Sequence, residues 1–295
     1  MAFQKGAIRR SGSRKTLDNH NFTNMKELTF DEIKQKELEL LIAFDDFCTK
    51  NNLKYILTGG TLIGAVRHKG FIPWDDDIDV EMPRPDYERF KEMTAFNPIA
   101  ENIESCSAFP CKTRINYPFI KLVDMTTIVK EKAKPHQFMG IFIDVFPLDG
   151  IADDVKTQAR VMRSFARKTR FFCACTEELL ASGSVFKTIK RFIPKIFLTL
   201  YGTKRYAMKM DRIASRKPYE TSDTVATIMW GRGGIKECKP KFHVENTTLL
   251  DFEGHKFSAS AFYDEDLTKM YGNYMELPPE SERESHSFKA YALTE

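Results

Sequence analysis

Residues 58–90 have the sequence TGGTLIGAVRHKGFIPWDDDIDVEMPRPDYERF, and this stretch decides the fold. Gly59 and Gly60 stand where an apolar, β-prone segment (residues 54–58) passes into a short helical pattern (residues 61–66). Backbone amides at the start of a helix are unpaired and can hold a phosphate, although a double glycine is also typical of a tight structural turn. The sequence therefore predicts a strand, a glycine turn and a helix in succession.

Three aspartates follow the glycine turn at alternate positions. Asp75, Asp77 and Asp79 occur with the period of two that places side chains on one face of a strand. Carboxylates at this spacing repel one another and raise one another's pKa, so we expect a cation to offset them. Oxygen ligands without histidine or cysteine suit Mg²⁺ or Mn²⁺. The alternative interpretation is a solvated acidic turn.

A further acid lies in the apolar segment GIFIDVF, residues 140–146. An ionised carboxylate in such surroundings is costly unless it is paired or bound to a metal. Asp144 is therefore the candidate third metal ligand, and an acid paired with a basic neighbour is the alternative. Asp149 follows Pro147 and is interpreted as a turn residue.

Cationic and polar residues near these acids are candidates for binding phosphates or a nucleotide. Arg67, His68 and Lys69 lie between the glycine turn and the acidic strand, while Lys121 stands among apolar neighbours. The full set of candidate contacts is Gly59, Gly60, Thr61, Arg67, His68, Lys69, Lys121 and His286. An exposed role without ligand contact remains open for Arg67, His68, Lys69 and His286.

Hydrophobic patterning predicts the remaining elements. A capping box formed by Thr29 and Glu32 starts a helix that ends at Asn51, and Pro85 starts another. Strands are expected at residues 77–81, 117–123, 126–130 and 140–146, a hairpin at 249–257 and a helix at 261–271.

The chain divides into four predicted parts. Residues 1–25 form a flexible basic tail, since few of them can bury apolar surface against the entropy of ordering. Residues 26–150 form the core, residues 151–220 a basic helical lobe, and residues 221–295 a C-terminal segment that packs back on the core. The lobe carries 16 Lys or Arg against 6 Asp or Glu, whereas the whole chain has a net charge of +4. The predicted fold class is α+β, with a mixed sheet and flanking helices.

Composition argues against several classes of protein. The basic start lacks the apolar run of a secretion signal, and no segment is apolar enough to span a bilayer. The six cysteines form no CxxC pair, so we expect reduced thiols rather than a zinc site. The expected location is the cytoplasm.

Three stretches together resemble a known family. Residues 58–90 closely resemble the signature of the LicD family of phosphotransferases. Residues 140–150 (GIFIDVFPLDG) resemble its second motif, and residues 271–286 (YGNYMELPPESERESH) its third. The likeness runs from about residue 28 to residue 290. The family often has two adjacent histidines in the third motif, where this chain has His286 and Ser287.

The resemblance implies a nucleotidyltransferase-like mixed sheet and a set of site residues. By position in the motifs, the glycine turn is Gly59 and Gly60, the paired acids are Asp77 and Asp79, and the third acid is Asp144. The metal ligands implied are thus the same three aspartates that their spacing and apolar surroundings indicated.

The resemblance also implies an activity. It is the metal-dependent transfer of phosphocholine from CDP-choline to a sugar hydroxyl of a teichoic acid or lipopolysaccharide precursor built on a lipid carrier. The hydroxyl attacks the phosphate in line, CMP leaves, and Asp75 or Asp144 accepts the proton. Alternatives are the transfer of another CDP-linked polyol phosphate (ribitol or glycerol) and nucleotidyl transfer to a small acceptor.

The basic segment has a separate interpretation. Residues 184–200 alternate apolar and cationic side chains in a way compatible with a helix on an anionic membrane surface. We therefore expect peripheral contact at the inner membrane face, with a solvated lobe packed on the core as the alternative. A nucleic-acid-binding surface over residues 151–220 would leave the acidic motif unexplained, so no nucleic acid partner is expected.

Overall fold

A computed structural model describes residues 25–130, 139–176, 195–283 and 289–293 of the chain. The predicted α+β class is confirmed, because helices and mixed sheets occur together in these ranges. The helices are α1 (Phe30–Lys50), α2 (Gly59–Arg67), α3 (Arg84–Thr94), α4 (Val155–Thr176), α5 (residues 195–201), α6 (Thr203–Ala214), α7 (Lys241–Glu245) and α8 (Tyr263–Tyr271). The strands are β1 (Lys26–Glu27), β2 (Ile56–Leu57), β3 (Asp79–Pro83), β4 (Ile103–Ser107), β5 (Thr113–Arg114), β6 (Ile120–Asp124), β7 (Thr127–Lys130), β8 (Phe142–Ile151), β9 (Thr224–Ala226), β10 (Lys239–Pro240), β11 (Thr247–Phe252), β12 (His255–Ser260) and β13 (Lys289–Ala292). All but the last residue of the predicted tail (1–25) lie outside the described ranges.

Helix α1 begins and ends as its sequence predicts. The Glu32 amide donates to the Thr29 hydroxyl, and the Glu32 carboxylate accepts the Thr29 amide at 2.9 Å, so the capping box is present. Such reciprocal bonds satisfy amides that the first turn leaves unpaired. The apolar face of α1, including Leu41 and Phe44, is fully buried in the main core.

Strand β8 is central to the largest sheet, which has eight strands in the described ranges. It pairs in parallel with β3 and antiparallel with β6 and β9. Because side chains alternate between faces, Ile143 and Val145 enter the main core, whereas Asp144 lies on the other face. One face of the sheet therefore supports the fold and the other is available for chemistry.

Two of the differences from the predicted strand boundaries concern acidic residues. Strand β3 begins at Asp79 rather than at Asp77, since the chain first makes a turn in which the Asp75 amide donates to the Ile72 carbonyl. Strand β8 continues through Pro147 to Ile151, so the interpretation of Asp149 as a turn residue is wrong.

Asp149 is instead a buried strand residue, held by an ion pair. Arg84, at the start of α3, donates to both of its carboxylate oxygens, at 2.7 and 2.9 Å. Its remaining nitrogen donates to Asp211 on α6 at 2.8 Å and to Glu88. A buried carboxylate requires such a partner. One guanidinium thus joins the central strand, α3 and the basic lobe.

The basic lobe has a core of its own. Helices α4 and α6 bury Met162, Phe165 and Met210 together with Ile228 and Met229 of the following segment. The helical character predicted for residues 151–220 is confirmed where the chain is described, and residues 177–194 lie outside that part. No helix in the described ranges has the length and apolar content needed to cross a bilayer.

The C-terminal residues return to the first part of the chain. The predicted hairpin is confirmed as β11 and β12, and the Ser258 amide donates to Tyr55, which itself donates to Asp45 of α1. Strand β13 lies between β1 and β7 in a separate sheet, a pairing that the sequence did not reveal.

Replacement of Arg84 by alanine tests the buried ion-pair network. Arg84→Ala leaves Asp149 buried without its bidentate partner, so we expect a loss of about 3–5 kcal/mol in the free energy of unfolding. Urea titration followed by circular dichroism measures it. The matched control is Arg89→Ala on the same helix, whose half-exposed ion pair with Asp86 contributes about 1 kcal/mol or less. Equal losses in the two variants would contradict this account.

Candidate active site

Two acids and a lysine form one row across three strands. Asp79 of β3 pairs in register with Asp144 of β8, which in turn pairs with Lys121 of β6. Side chains at paired positions point to the same face of a sheet. All three line a cavity of about 690 Å³, and the Lys121 ammonium donates to Asp144 Oδ1.

The remaining predicted acids reach the same cavity from the turn before β3. Asp75 and Asp77 line it although neither belongs to the strand. The four acids therefore line one cavity, two of them from the strands and two from the turn before β3. Asp76, between them, is buried and does not line the cavity.

The glycine turn brings the start of α2 against these carboxylates. Gly59 has a φ of +57°, and a Cβ on it would lie 3.3 Å from Asp79 Oδ2. A Cβ on Gly60 would lie only 2.5 Å from Asp75 Oδ2. Thr58 makes no side-chain cap to this helix, and Thr58, Gly59 and Gly60 at its start line the cavity. The pair of glycines thus permits a close approach that any side chain would block.

Backbone bonds fix Asp79 relative to α2 and β8. Its amide donates to the Thr61 hydroxyl at 2.9 Å, and its carbonyl accepts the Thr58 amide at 3.2 Å. The Asp144 amide donates to the Ile78 carbonyl at 2.9 Å. Thr61, predicted as a phosphate contact, thus positions Asp79 and is not among the residues lining the cavity.

Negative charge accumulates around the half-buried Asp79 carboxyl. Burial raises the pKa of Asp79 well above its ordinary value, and the neighbouring charges of Asp77, Asp144 and Asp75 raise it further. Lys121 opposes this shift without reversing it. Such a site gains stability from added positive charge.

The donor set fits a hard divalent cation. The acids of the cavity offer carboxylate oxygens, the ligands that Mg²⁺ and Mn²⁺ prefer, and no histidine or cysteine lies in their row. In the part of the chain that the structure describes, no three acidic, histidine or cysteine side chains are grouped closely enough to hold a metal ion by themselves. An ion at these acids would therefore need further oxygen ligands from substrate phosphates, which Mg²⁺ usually has.

Several predicted phosphate contacts lie elsewhere. Arg67 donates to the Tyr274 and Glu276 carbonyls and to His68, so it holds the C-terminal segment. Burial, and then the neighbouring Arg67, lowers the pKa of His68. Neither these two nor Lys69 lines the cavity, so their phosphate-binding role remains a prediction without geometric support. His286 lies outside the described residues.

The cavity also contains residues that the sequence analysis missed. Glu81 continues the alternation of Asp77 and Asp79, and this signal was available; its carboxylate accepts hydrogen bonds from Thr227 and Lys239. Others stand beside the predicted acids and lysine or come from later parts of the chain, and they include Tyr117, Phe119, Phe142, Phe146, Trp230, Arg232, Lys236, Glu237 and Tyr271. A glycine-rich stretch, WGRGG at residues 230–234, marks one of these regions, and Tyr271 opens the third resembling motif.

Comparison with known proteins shows the family of the chain. The family model described as "LicD/FKTN/FKRP, nucleotidyltransferase domain" matches residues 52–172. The lipopolysaccharide cholinephosphotransferase LicD of Haemophilus influenzae is 32% identical over 272 residues, which cover 91% of this chain and 100% of that protein. The chain belongs to the LicD family. An uncharacterized protein of Rickettsia typhi is 34% identical over 113 residues, which cover 38% of this chain and 33% of that protein.

Membership confirms the predicted resemblance and makes the protein a LicD family phosphotransferase. The matched segment contains the glycine turn, all four aspartates and Lys121. Trp230 and Tyr271 lie beyond it, in the C-terminal segment. The LicD cavity in this chain is therefore completed by residues outside the region that the family model matches.

Two glycines of α2 allow the site and the fold to be tested separately. A Cβ on Gly60 would meet only the Asp75 carboxylate, whereas a Cβ on Gly64 would lie 2.4 Å from the Gly70 carbonyl oxygen. We expect Gly60→Ala to displace Asp75 and to reduce phosphotransfer about tenfold or more, with little loss of stability. Gly64→Ala is expected to lower the free energy of unfolding by about 1–3 kcal/mol. Thermal unfolding and turnover measured on both variants check this, and reversed effects would refute it.

Proposed function

We propose that this protein transfers phosphocholine from CDP-choline to a sugar hydroxyl of a lipid-linked glycan precursor, of the teichoic acid or lipopolysaccharide type. The observation that carries the proposal is the row of Asp79 and Asp144 beside the amides at the start of α2, in one cavity large enough for a nucleotide donor. The printed name of the Haemophilus relative supports the choice of head group and acceptor. We also infer that the mixed sheet is of nucleotidyltransferase type, in keeping with the description of the matching family model.

The acidic row explains why a cation belongs to the reaction. A diphosphate placed against Asp77, Asp79 and Asp144 would be repelled by their charges unless a cation lay between them. These three residues would hold Mg²⁺ or Mn²⁺. When bound, such an ion neutralises charge on the diphosphate as the bond to the leaving nucleotide breaks.

The chain's own groups position the donor. The amides at the start of α2 donate to phosphate oxygens, as helix starts commonly do. Arg232 and Lys236 line the same cavity with exposed side chains, and they can contact the CDP phosphates. We assign to this pair the role that the sequence suggested for Arg67 and Lys69.

Acids at the cavity wall position the acceptor hydroxyl and accept its proton. The acceptor hydroxyl must approach the phosphate opposite the departing CMP, and Asp75 or Asp144 then accepts its proton. Tyr271, whose hydroxyl lies near Gly59 and Asp79, has a pKa raised by burial and by nearby acids, so it remains a hydrogen-bond donor. It can orient a phosphate or sugar oxygen beside the acids.

Release of CMP tests the reaction class. With Mg²⁺ and glycan precursor from cells that lack this protein, we expect CMP release from CDP-choline. Asp79→Asn preserves the side chain's shape but removes its charge, so CMP release should fall about 100-fold or more. The matched control is Asp251→Asn on the exposed hairpin, which should retain wild-type turnover.

The identity of the products and of the accepted donor distinguishes phosphocholine transfer from the alternative reactions. Pyrophosphate in place of CMP, with a nucleoside triphosphate as donor, would show nucleotidyl transfer instead. CMP release from CDP-ribitol or CDP-glycerol, and none from CDP-choline, would refute the choice of head group. Full activity of Asp79→Asn would remove the acidic row from the mechanism.

We further propose that α5 contacts the inner face of a membrane, where a lipid-linked acceptor is held. Phe197 and Leu200 of this helix are 53% and 82% exposed, and Ile196 and Tyr201 are also exposed. Apolar side chains beside lysines match the surface of an anionic bilayer. Of the predicted segment 184–200, residues 184–194 lie outside the described part.

Liposome flotation tests this contact. We expect the protein to float with vesicles that contain phosphatidylglycerol, less so at high salt. Phe197→Ser with Leu200→Ser should weaken binding roughly tenfold or more, because apolar burial is lost. Leu249→Ser, at an equally exposed position of the hairpin, is the control. Wild-type protein that remains with the unbound fraction at moderate salt would contradict the proposal.

A further inference from the structure

One side of the cavity consists of aromatic rings. We define the aromatic wall as the five rings that line the cavity beside the acidic row, contributed by Tyr117, Phe119, Phe142, Phe146 and Trp230. Phe119 is at its centre, with ring centroids 4.6 Å from Phe146 and 5.1 Å from Trp230. Phe142 and Trp230 are partly exposed, whereas the other three are buried. Two rings are therefore accessible to a ligand, and three support them.

The aromatic wall lies next to Asp144, one two-residue repeat away along β8. Phe142 and Phe146 stand two residues before and after Asp144, on the same face of β8. Positions i and i+2 of a strand are about 6.5 Å apart. Only two carbon atoms separate the phosphate oxygen from the nitrogen in phosphocholine. A phosphate held at Asp144 therefore leaves its head group beside the aromatic wall.

The wall already accommodates an ammonium group. Lys121 Nζ lies 3.5 Å from the ring centroid of Phe142 and 4.4 Å from that of Tyr117. Its charge is paired with Asp144. The faces of these rings, which carry negative electrostatic potential, are thus directed at this part of the cavity.

One acid near the wall adds to its preference for positive charge. Glu237 accepts the Gly233 amide at 2.8 Å, and a Cβ on Gly231, next to Trp230, would lie 2.9 Å from its Cγ. A half-buried acid that lines the same cavity therefore contacts the residue after the tryptophan. A quaternary ammonium has no N–H group to donate, so rings and a nearby negative charge stabilise it, whereas a polyol needs hydrogen-bonding partners.

We propose that the aromatic wall binds the quaternary ammonium of the choline donor and that Trp230 determines this specificity. The inference rests on the proposed function, because it names the part of the site that selects the head group. Trp230 is the residue of choice for the test, since tryptophan is the strongest aromatic partner of a cation and this one is accessible.

Steady-state kinetics with two donors test the specificity. For Trp230→Leu we expect the KM for CDP-choline to rise about tenfold while kcat changes little. For CDP-glycerol, if it is turned over, KM should change less than about threefold. Trp230→Phe, which retains a ring, should restore most of the discrimination, and Phe96→Leu, at an exposed ring away from the cavity, should match wild type.

The inhibition constant of CMP shows whether Trp230 contacts the choline head group or the cytosine base, because CMP contains the base and no head group. If Trp230 stacks on cytosine instead, Trp230→Leu will raise the inhibition constant of CMP as much as the KM for CDP-choline, and the inference is overturned. An unchanged CMP inhibition constant supports it. Phe142→Leu provides a second variant if Trp230→Leu unfolds, since Trp230 packs against both the lobe core and the rings.

Calorimetric titration keeps this test independent of turnover. Wild-type protein that releases no CMP from any CDP donor would refute the proposed function. Even in that case, wild-type protein should bind phosphocholine more tightly than it binds glycerol 3-phosphate. Trp230→Leu should bind the two phosphates with similar affinity. Equal affinities of the two phosphates for wild-type protein would overturn the inference on its own.

Discussion

Several carboxylates lie on one face of the main sheet, and their mutual repulsion is the constraint that the rest of the structure must offset. Asp79 is half-buried, and both its partial burial and the acids around it oppose its ionisation. On the opposite face, Val80 of β3 and Val145 of β8 are fully buried in the main core, as is Ile78 just before β3. That apolar packing stabilises the strands and holds the acids together despite their repulsion. The arrangement is stable because fold and chemistry occupy alternate residues of the same strands.

Local patterns predicted the elements whose signals lie within a few residues of each other. These elements are the capping box of α1, the strand and helix around the glycine turn, and the hairpin of β11 and β12. The four aspartates and Lys121 were singled out because acids and a lysine stand out in apolar segments. Their arrangement around one cavity depends on the pairing of β8 with β3 and β6, although residues 84–141 separate β3 from β8 in the chain.

The remainder depended on contacts between distant residues. Asp149 was misread because Pro147 is a turn signal locally, whereas Arg84 stabilises an extended, buried conformation there. Arg67 looked like a phosphate ligand, but its partners are carbonyls about 200 residues further along the chain. Trp230 begins a glycine-rich run and Tyr271 opens the third resembling motif, but neither signal shows that the packing of the lobe and α8 brings these residues to the cavity. Periodicity does not contain this information.

Trp230 packs against two apolar clusters, the core of the lobe and the rings beside the sheet, while one part of it faces the cavity. Because Trp230 packs against both clusters, a substitution at this position disturbs the packing of both. Any replacement that suits a different ligand must also fill the space between the two halves of the molecule. New substrate preferences in such a protein would therefore require compensating substitutions in the lobe before, or together with, the change at this position.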